Sequence, residues 1–181
     1  MKITFTDSTT RHCGGCTSCC KLLPVKEIGK PANTRCGYQR TGKGCSIFDK
    51  RPFSCRVWNC AWIQGDDTEE LRRPDRSHYV IDILPDYVTL QFESQPDVKI
   101  PVVQIWLDPN YPDAHRDPAL RAYLMRRGEE GMMAIVRTSS SDAFVICPPN
   151  MSHDGKWHEE RSGMSDKEHS LADFLQTFGG A

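Results

Sequence analysis

The sequence predicts an α+β protein in which a loop-rich, cysteine-cluster module leads into a small, mostly antiparallel sheet carrying one or two packed helices. Three observations predict it. Eight of the nine cysteines lie between positions 13 and 60 of the 181 residues. Beyond residue 78, short runs of β-branched and aromatic residues alternate with turn residues, the mark of strands in a meander. Near positions 120 and 175, apolar residues instead recur at helical spacing.

Hydrophobic residues make up 38% of the chain, enough for a core. No apolar run approaches the roughly 20 residues of a transmembrane helix, so no membrane span is expected. The opening residues lack the apolar stretch and small-residue cleavage site of a secretory signal, which points to the cytoplasm. Thiols are kept reduced there, so closely spaced cysteines read as metal ligands rather than disulfides.

Residues 11–62 are rich in Cys, Gly and Arg and show little periodicity, so they cannot bury much apolar surface by themselves. Loop-rich units of this kind need a metal or disulfide in place of a core. Residues 64–78 are highly charged and read as an exposed connection between a module at 1–63 and an α+β unit at 79–181.

Strands are expected at 79–84, 87–92 and 102–107, with Pro85 and Asp86 separating the first two. Asp117 followed by Pro118 opens a helix through residue 127, with Leu120, Tyr123 and Leu124 on its apolar face and Gly128 as its stop. Strands at 132–138 and 143–147 follow, joined by a turn at 139–142. Residues 150–164 read as an exposed loop, and Ser165 with Glu168 as the capping box of a final helix. That helix would dock on the sheet through Leu171, Phe174, Leu175 and Phe178.

The candidate ligands are Cys13, Cys16, Cys19, Cys20, Cys36, Cys45, Cys55 and Cys60. Two residues between cysteines let a turn aim both sulfurs at one metal, and Gly14 and Gly15 permit the backbone such turns use. Cys19 and Cys20 are adjacent, and neighbours rarely reach one small ion without strain. The pair therefore suggests two centres, or one centre with a spare thiol.

This pattern resembles the YkgJ-like CxxCxxCC cysteine-cluster family, described as a zinc- or iron-chelating domain. The resemblance rests on the 13–20 block followed by Pro24 and Val25, on Gly44 to Phe48, on Arg51 to Arg56, and on Cys60, Ala61 and Trp62. It covers about residues 11–62. It implies zinc or iron chelation and little more. Flagellin lysine N-methylases contain a similar domain, but no S-adenosylmethionine pocket is marked by a sequence pattern here.

Zinc favours closed four-ligand sites and would couple folding to metal binding. A [4Fe-4S] cluster also uses CxxCxxC plus a remote fourth cysteine, though bacterial ferredoxins follow that cysteine with Pro and none of these eight is so followed. Zinc, the more frequent metal, stands slightly ahead, with the cluster second.

Other residues draw blander readings. Residues 11–60 carry ten Lys or Arg against two acids, an excess that offsets thiolate charge. Aromatics lie among them, but no nucleic-acid-binding signature accompanies them, and nucleic acid is not an expected partner. Lys50, Arg51 and Arg56 can balance thiolates or bind an anion. His12 precedes the first cysteine and reads as an exposed neighbour or substitute ligand. Cys147 reads as a small buried hydrophobe. His153, His158 and Glu159 crowd the 150–164 segment without HExxH spacing. The function expected is metal binding, chiefly structural or for a protein partner, with an iron–sulfur redox or protein-modifying enzyme as the alternative.

Overall fold

The computed structural model describes residues 11–65, 67–161 and 169–179. The first third of the chain folds into short pieces: α1 (Ser18–Leu22), the two-residue strands β1 (Gln39–Arg40) and β2 (Gly44–Cys45), α2 (Phe53–Val57), α3 (Ala61–Gln64) and α4 (Pro74–Ser77). None exceeds five residues, as expected where Gly, Pro and Cys interrupt every periodic run.

The rest of the chain builds a five-stranded sheet from β3 (Tyr79–Phe92), β4 (Gln95–Leu107), β5 (Met133–Arg137), β6 (Ala143–Cys147) and β7 (His158–Glu160). Its strands lie in sequence order. Only β4 and β5 pair in parallel, and α5 (Pro118–Glu129) is the crossover between them. The other neighbours are antiparallel. A final helix, α6 (Leu171–Phe178), contacts β3.

The two-residue period of the strands divides the core. Ile81, Val103, Ile105, Leu107, Val136, Phe144 and Ile146 meet Leu120, Tyr123 and Leu124 of α5, the apolar face expected for that helix. Val80 and Trp106 instead receive Leu22 of α1 and the partly buried Trp58 and Trp62. The first cysteine block is thereby seated on the sheet by one fully buried leucine. Alongside, Arg137 is wholly buried and donates to Asp86 at 3.1 Å and to Gln104 at 3.2 Å. Pairing and hydrogen bonding are what allow a charge at that depth.

Several sequence expectations need correction. The strands expected at 79–84 and 87–92 are one strand, because the pairing shifts register between Asp82 and Asp86 and a bulge absorbs Pro85. Gly128 does not end α5, which runs on to Glu129. A Cβ at position 128 would stand 2.8 Å from Cγ of Pro148, so the glycine serves close packing. The strand expected at 132–138 is the shorter β5, and part of the expected 150–164 loop is β7.

Ser165 and Glu168 lie outside the described residues. The capping box of α6 is formed by Ser170 and Asp173. Docking of α6 is partial: Phe178 meets Tyr87 edge-on at 5.8 Å, while Leu171 and Leu175 are 54% and 55% exposed. The charged 64–78 segment is not exposed throughout: Thr68, Leu71, Pro74 and Ser77 are buried, while Glu69, Glu70, Arg72, Asp75 and Arg76 face solvent. Arg11 donates to Thr68 Oγ1 at 2.8 Å, and Arg126 donates to Asp67 at 2.8 Å.

Candidate metal centre

The CxxC turn is built by backbone. Gly14 takes φ +50°, and the Cys16 N–H donates to the Cys13 carbonyl at 2.8 Å. The turn packs directly on the β1–β2 hairpin, since a Cβ on Gly15 would stand 2.5 Å from the Gly42 carbonyl oxygen. A Cβ on Gly44 would stand 2.9 Å from the Gly14 carbonyl oxygen. This contact needs glycine on both sides, and Cys45 follows Gly44 on β2. Gln39 of the same hairpin donates to Thr17 at 2.8 Å.

The thiols fall into two neighbourhoods. In the first, the Cys60 thiol is pushed up to about 11, chiefly by burial, with the nearby Cys13 and Cys16 contributing. Burial also raises Cys13, again with Cys16 contributing. In the second, burial raises Cys55, which feels the charges of Cys20 and Cys36. The Cys36 N–H donates to the Cys20 carbonyl at 3.0 Å, holding this second group together by backbone.

Cys19 and Cys20 join the two. Their mutual hydrogen bond raises Cys19 and lowers Cys20 to about 7, with Lys30 and Arg51 adding to the lowering of Cys20. Among the described residues, no three of the sulfurs lie within 4.8 Å of one another.

Lys30 was not singled out by the sequence. It is 7% exposed, and its ammonium donates to the carbonyls of Leu23, Lys21 and Pro31. Burial lowers its pKa, while Cys36, Cys20, Cys19 and Cys55 act in the opposite direction. It is thus a buried cation set against the second thiol group. Only its place in a basic segment marked it beforehand, and ten residues shared that mark.

The remaining candidates separate clearly. Arg51 lies over the Phe48 ring at 3.6 Å and acts electrostatically on Cys13 and Cys20. Arg56 lies 5.9 Å over the Phe53 ring. His12 is exposed beside Gly14. Trp58 donates to Asp82 at 2.7 Å and Trp62 to the Leu71 carbonyl at 3.1 Å, so both rings serve the core. Cys147 is half-buried, packs beside Met133 and Ile135, and has its sulfur 3.7 Å from the Pro148 carbonyl. Glu159 pairs with Arg121 at 2.7 Å and with the buried His115.

A cleft of about 180 Å³ adjoins α1, lined by Thr17, Lys21, Gln39, His78 and Asp108 among others. His78 holds φ +65° there and stacks on Tyr111 with ring centroids 3.5 Å apart. Non-glycine residues in that backbone region cost energy and concentrate at functional sites. Fold and site together define a mixed α/β chain whose thiol-rich N-terminal segment is anchored on a five-stranded sheet. No family model, curated protein or solved structure matches the chain. No helix among the described residues is long and apolar enough to cross a membrane.

Proposed function

We propose that this is a metal-binding protein whose eight cysteines hold zinc or an iron–sulfur cluster, with the metal shaping the N-terminal segment and a surface for a protein partner. The observation that carries the reading is the folding of Cys36, Cys55 and Cys60 back to within electrostatic reach of the 13–20 block. Donor chemistry fits, because soft thiolates suit zinc and iron–sulfur clusters alike. The buried ammonium of Lys30 and the guanidinium of Arg51 would offset the negative charge of such a centre.

The partner surface follows from what the segment leaves uncovered. Phe53 and Val57 sit one turn apart on α2 and are 66% and 59% exposed. Phe48 is also more than half exposed. Large apolar residues left in water beside a metal-binding segment suit docking better than shielding.

The second reading, an iron–sulfur redox or protein-modifying enzyme, is favoured by the polar cleft beside α1, which gives such an enzyme a place for substrate.

Anaerobic purification followed by metal analysis and a visible spectrum tests both readings. Colourless protein with stoichiometric zinc supports the structural form. Brown protein with iron and acid-labile sulfide supports the cluster. Folded protein with neither metal, its thiols all free, would overturn the proposal.

A further inference from the structure

A second group of metal-ligating side chains lies outside the cysteine segment. One ligand atom from each of His153, Asp154 and His158 falls within 4.8 Å of the others, the only such trio among the described residues. Sequence pattern passed over it because Asp154 was not counted with the histidines and the spacing matches no helical zinc motif. The trio is assembled by a turn and a strand. Gly155 takes φ +67°, folding the chain back so that His158, the first residue of β7, returns to face residues 153 and 154.

The group is held in shape by bonds that are not themselves ligands. Asp154 Oδ1 accepts from the Lys156 N–H at 3.1 Å and from the Ser152 hydroxyl at 3.3 Å, and Ser152 Oγ in turn accepts from the same N–H at 3.0 Å. The carboxylate is therefore oriented before any ion arrives, as outer-shell hydrogen bonds orient ligands in metal sites. His158 Nε2 is 2.7 Å from Asp154 Oδ1, and the two imidazole rings lie with centroids 5.8 Å apart at 27°. Strand pairing places Cys147 directly opposite His158, at the edge of the group.

We propose that His153, Asp154 and His158 form a separate site for a divalent transition-metal ion of the zinc type. Two imidazoles and one carboxylate are a donor set that binds such an ion with a further coordination position left for water or another ligand. Metal–ligand distances of about 2.0–2.2 Å would draw the three side chains together by small rotations. All three are exposed, so the ion enters without opening the fold. The site shares no residue with the eight cysteines and stands or falls independently of them.

The test is calorimetric titration of Zn²⁺ into the full-length protein, purified with its cysteine ligands already saturated with metal, alongside the double variant His153→Gln, His158→Gln. The wild type is expected to take up one equivalent more than the double variant, and Asp154→Asn to bind that equivalent at least tenfold more weakly. Thermal unfolding of the same preparations before Zn²⁺ is added, unchanged from wild type, establishes that the variants fold. Equal stoichiometry and affinity in wild type and double variant would overturn the proposal.

Discussion

The two halves of this molecule stabilise themselves differently. From Tyr79 onward, buried Ile, Val, Leu and Phe side chains form continuous clusters on both faces of the sheet. Before residue 66, only Leu22, Val25, Cys60 and Ala61 are buried among the apolar residues described. A segment with so little buried surface does not offset its own conformational entropy and needs another source of cohesion. The eight thiols supply one candidate, and Leu22, wedged against Val80 and Trp106, supplies a foothold on the half that has a core.

The largest effect is expected where that cohesion is removed. Cys16→Ser should lose metal and solubility together, since a structural zinc site contributes on the order of 10–16 kcal/mol to the fold it closes. A soluble, well-folded, metal-free Cys16→Ser protein would erase the contrast between the halves. In the sheet, Phe144→Ala should cost about 3–5 kcal/mol in urea denaturation while leaving metal content untouched, because Phe144 is wholly buried against α5 and His115.

Smaller changes sharpen the picture of the core. Gly128→Ala should destabilise by about 1–3 kcal/mol despite the better helix propensity of alanine, since the new methyl meets Pro148 and Asn150. An increase in melting temperature would show that α5 packs on Pro148 and Asn150 loosely enough to admit a methyl group. The smallest effect concerns Glu159. Burial alone would raise its pKa, but Arg121, His115 and Arg116 hold it below the ordinary carboxylate value.

A depressed folded-state pKa contributes stability that is present above the unfolded value, about 4.3, and lost as pH falls through the lower folded one. Glu159→Gln should therefore flatten the acid limb of a stability–pH curve by about 1 kcal/mol. An unchanged acid limb would show that the ion pair contributes nothing.

Much of the sheet half was legible because burial imposes periodicity. Ala143 to Cys147 shows its strand directly, Val102 to Leu107 shows only the buried end of β4, which begins at Gln95, and Asp117–Pro118 announces α5 with a cap that the structure retains at 3.2 Å. What the sequence obscured were positions where one residue type serves two purposes. Pro85 reads as a breaker, yet a bulge accommodates it within β3. Gly128 reads as a helix stop, yet it is a packing glycine whose partner lies 20 or more residues away. The parallel β4–β5 pair was invisible because local patterning says nothing about which neighbour a strand adopts.

In the thiol segment the reverse holds. Spacing named the cysteines but not their grouping, which depends on Lys30, the Gly14–Gly15 contact with the hairpin and the return of Cys60 toward Cys13. Those are long-range relations without a local signature. The charged 64–78 segment misled for a related reason: Asp67 and Glu70 pair with Arg126 and Arg127 of α5, so part of its charge marks a docking contact.

Hydrogen exchange on the metal-loaded protein, before and after complete chelation, tests the contrast between the halves most directly. Amides of residues 13–60 should lose their protection once metal is removed, while those of β4, β5 and β6 keep theirs. Protection retained across residues 13–60 in metal-free protein would contradict the account.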